Sequence, residues 1–366
     1  MDNAALISAF PSKARTDLAR QNYYFKVLSS LAYLISVGAP NRDCPNISTL
    51  VRTPLSSGAL EPRLFYLHDA LLLAMRAQDV NRVQQTLQAV EEVAKAGMRI
   101  KNDHIPEIIS IGDADWENFI VENSINLGEE YFNKCPEIAP VSEDVAAEQR
   151  GNVIAALELI EEFFPAMHEE VQGLLNKLRL FKGAVTMGIT DVRMFGCMLI
   201  RTPRPEVNTQ LYYAEHITHE TSHMYLNAAM SIDPILLNDR SELFTSPLRP
   251  DPRPMIGVFH ATFVTSRIVQ LFESLSQDWA ASEDTDVYLY QQLDELKAGI
   301  NEVTRGAKLT PTGALLLREF EEIAQNADQV IAKSGLDTGK VYMHRFGGGT
   351  EFKPAKSIDK SVETHG

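Results

Sequence analysis

Apolar positions in the first half of the chain recur at helical spacing. Over residues 14–37, Leu18, Tyr23, Tyr24, Val27, Leu28, Leu31 and Leu34 line one face, which predicts a helix there. A connection rich in Pro, Asn and Ser follows over residues 38–57. From residue 61 to 96 the periodicity continues through Leu64, Leu67, Leu71, Leu72, Met75, Val80, Val83, Leu87, Val90 and Val93 with almost no breaker. One long helix closed by Gly97 is the expectation. Residues 113–133 and 142–164 read as two further helices, the second opened by Ser142 and stopped before Pro165.

The pattern changes at Phe181. Residues 183–188 and 193–200 are β-branched and apolar with glycines between them, so one or two short strands are expected. A helix then starts at Asn208 or Thr209 and runs to Ser231, ahead of Asp233-Pro234. Met255–Asp278 is amphipathic through Ile256, Phe259, Phe263, Ile268, Leu271 and Phe272, with Pro254 placed as a first helical residue. Residues 309–326 form a last helix behind Thr310-Pro311, and the end, with Gly347-Gly348-Gly349, reads as a tail. The fold expected is mainly α, a multi-helix catalytic domain with a small β element beside the central helix. Its organisation would be a helical N-terminal scaffold over 1–180, a catalytic region over 181–334 and a C-terminal tail over 335–366.

Composition narrows the function. Of 366 residues, 34 are Lys or Arg and 49 Asp or Glu, a formal net charge of −15. Phosphate-rich partners need clustered positive charge, so neither nucleic acid nor an anionic membrane is an expected partner. The most apolar stretches, residues 27–39 and 70–75, are too short or too broken to span a bilayer, and no signal peptide is visible. Three cysteines, Cys44, Cys135 and Cys197, give no CxxC pair and no disulfide framework, which fits a cytoplasmic protein with small buried thiols. A homodimer is left open.

Chemistry enters with histidine. Three of nine fall within eight residues, in Glu215-His216-Ile217-Thr218-His219-Glu220-Thr221-Ser222-His223. His219 and His223 are four apart on the central helix, so their imidazoles lie one turn apart on one face and can reach a single metal ion. Glu220 stands between them, placed to hold a proton or to steady a ligand. This is an HExxH motif. His216 shares the face, but three ligands from one straight helix reach poorly around one ion, so a second-layer or substrate-contacting role is expected for it. The third ligand must come from elsewhere, and Glu242, Glu273 and His260 are the downstream candidates. No HxxGxxH continuation follows His223. Glu242 sits in a charged loop, whereas His260 interrupts an apolar face one helix later, which favours His260. Zinc peptidases and non-haem iron oxygenases both remain compatible with this ligand set.

The segment from about residue 183 to 275 resembles the 2-oxoglutarate-dependent, HExxH-type peptide β-hydroxylases found with peptide natural products. The motifs carrying the resemblance run from Ala214 to Asn227, then Ser246-Pro247-Leu248-Arg249, Asp251-Pro252-Arg253-Pro254 and Gly257-Val258-Phe259-His260, with a late similarity at Leu309-Thr310-Pro311-Thr312-Gly313-Ala314. Membership would imply Fe(II), 2-oxoglutarate and O2 acting on an unactivated β-carbon of an amino-acid residue in a peptide or peptide-like substrate. On that resemblance His219, His223 and His260 would bind iron and Glu220 would be a further oxygen donor or a base. Arg249 or Arg253 would grip the distal carboxylate of 2-oxoglutarate through a guanidinium fork. Around Arg240, Arg249, Arg253 and Arg267 cations outnumber Glu242 and Asp251, a local reversal of the acidic total that suits a dicarboxylate. The substrate would be a peptide, a carrier-bound unit or a free amino acid. The alternative expectation is a zinc-dependent metallopeptidase with Glu220 as its base.

Overall fold

The computed structural model describes residues 7–39, 45–52, 58–97, 99–100, 105–132, 137–184, 186–205, 207–246, 251–278 and 283–341. Arg249, Cys44, Cys135 and the tail beyond residue 341 lie outside them. The helices in chain order are α1 (Lys13–Gly38), α2 (Pro45–Arg52), α3 (Arg63–Arg76), α4 (Val80–Gly97), α5 (Asp115–Phe132), α6 (Glu143–Phe163), α7 (Pro165–Leu174), α8 (Thr209–Met230), α9 (Met255–Asp278), α10 (Glu283–Gly306) and α11 (Pro311–Ser334). The strands are β1 (Ala59–Leu60), β2 (Arg99–Ile100), β3 (Glu107–Ser110), β4 (Ala139–Pro140), β5 (Lys177–Lys182), β6 (Gly188–Ile189), β7 (Cys197–Arg201), β8 (Leu243–Phe244) and β9 (Arg253–Pro254). The fold is mainly α with a small sheet, as expected.

The expected helix over 61–96 is two helices. The break falls at Ala77–Asp79, where Gln78 adopts a left-handed φ of 55°. Asp79 then accepts a hydrogen bond from the Arg82 backbone N–H at 3.0 Å, a helix-start contact that hydrophobic periodicity does not reveal. Pro165 ends α6 and also opens α7, because a first-turn position needs no N–H from its residue. The last helix runs past 326 to Ser334 and stops at Gly335 with φ 77°. Helix α10 was not anticipated.

The main sheet is larger than the expected element. Its order is β3-β5-β7-β6, with β4 pairing antiparallel along β5 beyond β3. Strands β3, β5 and β7 are parallel, and β6 returns antiparallel along β7. Leu178, Leu180 and Phe181 on β5 and Cys197 to Ile200 on β7 are all buried, the apolar run of a strand covered on both faces. The expected boundary at 180/181 falls inside β5, which pairs with β3 on one side and β7 on the other. One hydrophobic core runs from Ile7 to Ile331, and a satellite cluster around Trp116, Phe181 and Cys197 fills the space beside α5. Burial pushes the Cys197 thiol up to about 12, as suits a small packed hydrophobe.

Helix α9 differs from the sequence reading in another way. Over Met255–Gln277 it is long and apolar enough to cross a membrane by length and composition alone, yet 78% of that window is buried inside the protein. It packs against α8, α10 and α11 and fills the role of an all-round apolar core helix.

One charge on α9 is buried completely. Arg267 and Glu170 of α7 are both 0% exposed and hydrogen bond to each other. Arg267 also donates to the carbonyls of Ser8 and Ala9, both at 3.1 Å, and its guanidinium lies over the rings of Tyr225 and Phe263. Thr16 donates to the other Glu170 oxygen at 3.0 Å. Removing one partner of such a pair strands the other charge and costs about 3–5 kcal/mol. Arg267→Met is expected to lose that much in urea denaturation. Replacing both residues with methionine should recover part of the loss. A single variant within about 1 kcal/mol of the natural chain would contradict the assignment.

Candidate metal centre

Helix α8 begins where the Asn208 side chain accepts from the Leu211 N–H at 3.2 Å, the cap its sequence suggested. It is buried nearly all round, between α1, α6, α7, α9 and the β6–β7 edge of the sheet. Of its buried hydroxyls, those of Thr218 and Thr221 have no hydrogen-bond partner, while that of Ser222 bonds locally. Ser222 donates to the Thr218 carbonyl one turn earlier at 2.6 Å. His219 and His223 remain partly exposed on this otherwise enclosed helix.

The two Nε2 atoms of His219 and His223 stand 3.2 Å apart. Two nitrogens bound at about 2.0–2.1 Å to one ion are about 2.8–3.0 Å apart across an octahedral right angle and about 3.3–3.4 Å apart across a tetrahedral angle. The two rings share a hydrogen bond at this distance, which also lies between those two spacings of a ligand pair. His260, from α9, stacks beside His223 with ring centroids 5.8 Å apart and planes 22° apart. The structure thus pairs His219 with His223 and places His260 beside His223. Among the described residues, no three His, Cys, Asp or Glu side chains are gathered closely enough to hold an ion as they stand. Two of the three imidazoles are within reach of one ion, and the third is adjacent to His223.

The other candidates lie elsewhere. Glu242 bonds Lys308 at 2.5 Å and Asn238 at 2.9 Å. Glu273 is thirteen residues beyond His260, about 20 Å along the helix axis. Arg253 heads α9 and is ion-paired with Asp251 at 2.6 Å, so its charge is already engaged. Arg267 points into the buried pair with Glu170, so its charge is not available at the site.

His216 packs beneath the pair. Its ring stacks on Tyr212 with centroids 4.1 Å apart, and its Nδ1 lies 2.8 Å from the Tyr212 carbonyl, which places the proton on Nδ1. Burial, then the nearby His219 and Arg201, hold its pKa down at about 3. Burial likewise lowers His260 to about 4. Both rings are neutral at physiological pH, the state in which imidazole binds a metal.

Glu220 is positioned by residues the sequence reading did not single out. Thr190, just after β6, donates its hydroxyl to Glu220 Oε2 at 2.7 Å. Gly188 of β6 lies against the same carboxylate, and a Cβ there would stand 2.2 Å from Oε1. A glycine inside a strand signals such close approach, so Gly188 carried a readable hint, whereas Thr190 carried none. Burial raises the Glu220 pKa to about 7, against the lowering effect of the Thr190 hydrogen bond.

That shift has a consequence for stability. The carboxyl binds its proton more tightly in the folded than in the unfolded chain, so between pH 4.5 and 7 folding takes up a proton. Its contribution to stability is greatest below the unfolded value and declines as pH rises through this window, by about 3 kcal/mol. In metal-free protein, Glu220→Gln should flatten the fall in unfolding free energy between pH 5 and 8. It should also make the variant the more stable of the two at pH 8. An unchanged slope would show that the carboxyl is not held protonated.

Neither a scan against family models nor a search of curated proteins returns a match for this chain.

Proposed function

We propose that the chain is a mononuclear metal enzyme in which His219, His223 and His260 hold Fe(II). On this reading it uses 2-oxoglutarate and O2 to hydroxylate a β-carbon of an amino-acid residue in a peptide or peptide-like substrate. The observation that carries the metal assignment is the 3.2 Å separation of the His219 and His223 Nε2 atoms, with a neutral third imidazole beside them. When bound, Fe(II) with 2-oxoglutarate and O2 supplies the oxidising power to turn an unactivated C–H into C–OH.

The protein's own groups would do the rest. Two imidazoles from a rigid buried helix and one from its neighbour would hold the ion, which would remain accessible to small oxygen ligands. Glu220, held by Thr190, has a pKa near neutrality and can accept or return a proton beside that ion. The buried side of α8 keeps bulk water from reaching the pair from behind. Arg249 or Arg253 would take the distal carboxylate of the keto acid, in the case of Arg253 by exchange with Asp251.

One observation favours a second reading. A buried glutamate next to the first histidine, with its pKa raised to about 7, also suits a general base in zinc-dependent peptide hydrolysis. The two readings separate spectroscopically. Anaerobic addition of Fe(II) and 2-oxoglutarate should produce a weak visible metal-to-ligand charge-transfer band, and His219→Ala or His260→Ala should remove it while the helical circular dichroism persists. Absence of the band, together with tightly held zinc and cleavage of peptides, would transfer the assignment to the peptidase. If no metal binds at all, both readings fail.

A further inference from the structure

Between the end of α8 and the start of α9 the chain forms a cavity of about 230 Å³. Met230 of α8, Ile235 and Leu236 of the connection, and Pro254 and Ile256 around the start of α9 supply apolar walls. Ile256 stands one turn before His260 on the same face of α9, about 6 Å along the axis. Met230 stands two turns beyond His223 on the same face of α8. The cavity thus borders the helices that carry the candidate centre, and none of the candidate metal ligands lines it.

Three polar residues, Asn238, Asp239 and Arg240, complete the lining. Asn238 is fully engaged: its amide donates to the Gly306 carbonyl and to Glu242, and its carbonyl oxygen accepts from the Lys308 N–H. Asp239 uses one oxygen, Oδ1, to accept from the Ser241 hydroxyl and N–H at 2.7 and 2.8 Å. Those bonds hold its carboxyl below the usual carboxylate range, so it is ionised at physiological pH. The Arg240 guanidinium has no hydrogen-bond or ion-pair partner among the described residues.

Small-ligand sites combine apolar walls with a few convergent polar groups. Here those groups are an anion and a cation on adjacent residues. A ligand that answers both charges and fills the remaining space carries a carboxylate, an ammonium and a short apolar chain. At about 30 Å³ for each water-sized group, 230 Å³ matches a molecule the size of valine or leucine. We infer that the cavity binds a free aliphatic amino acid, with its carboxylate on Arg240, its ammonium on Asp239 and its side chain against Met230, Leu236 and Ile256. A residue inside a peptide fits less well, because its amide bonds remove both charges. The site needs no metal, so the inference stands apart from the proposed reaction.

Calorimetric titration of the full chain, without added metal, should show saturable binding of L-leucine. Leucinamide, which lacks the carboxylate, and isocaproate, which lacks the ammonium, should each bind about fivefold more weakly, and glycine should not compete. Asp239 and Arg240 are both exposed, so neutral variants should fold, which circular dichroism checks. Asp239→Asn also keeps an Oδ1 acceptor for Ser241. Arg240→Gln should weaken L-leucine about fivefold and leave leucinamide unchanged, whereas Asp239→Asn should weaken L-leucine similarly and leave isocaproate unchanged. No saturable binding of L-leucine at millimolar concentration, equal binding of glycine, or an affinity indifferent to either substitution would overturn the inference.

Discussion

The site depends on the register of α8 against α9, and that register is held by a buried cation. Arg267 is two turns along α9 from His260, and its guanidinium lies over Tyr225, which is two residues beyond His223 on α8. Tyr225 and Phe263 stack with centroids 6.0 Å apart, so the two helices interlock just past their histidines. Glu170 and the carbonyls of Ser8 and Ala9 complete the shell around the charge. A guanidinium so deeply desolvated is tolerated only while these acceptors stay in place, and holding them in place also stops the helices from sliding. A shift of one residue along either helix would carry His260 about 1.5 Å past His223.

The N-terminal segment takes part in the same arrangement. Ser8 and Ala9 are held by Glu319 of α11 through hydrogen bonds of 2.8 and 2.6 Å, and Gln270 of α9 donates to the Ala9 carbonyl at 3.2 Å. Residues at the two extremes of the described chain thus fix the helix that carries the third imidazole. This explains why the core does not divide where sequence texture changes: the elements that position the site are contributed from both sides of that point.

Burial also sets the chemistry of the site. His216, His260 and Glu220 are each shifted toward the uncharged form, because an enclosed helix cannot solvate charge. Neutral imidazoles and a carboxyl poised near neutrality are what a metal ion would need to find, and the protein provides them through packing before any ion binds. The sheet contributes by closing over Glu220 from the far side, through a glycine that permits contact and a threonine that orients the carboxylate.

What could be read in sequence was local. The helix carrying His219 and His223 was legible because a four-residue spacing is a property of one helix turn, and Asn208, Thr310 and the bounds of α9 followed from the same short-range rules. The break at Gln78 was not, since it turns on a single left-handed residue inside an unbroken periodic pattern. The sequence favoured His260 over Glu242 and Glu273 without deciding among them, because only the crossing of α8 and α9 puts one of them beside His223. Gly188 and Thr190 meet Glu220 across some thirty residues through the strand order of the sheet, and Arg267 meets Glu170 across 97. The sequence by itself determined which side chains could bind a metal and the spacing of two of them. Tertiary packing decided which third imidazole lies beside them and what holds the carboxylate, because those contacts depend on how separate elements are brought together and not on the geometry of any one.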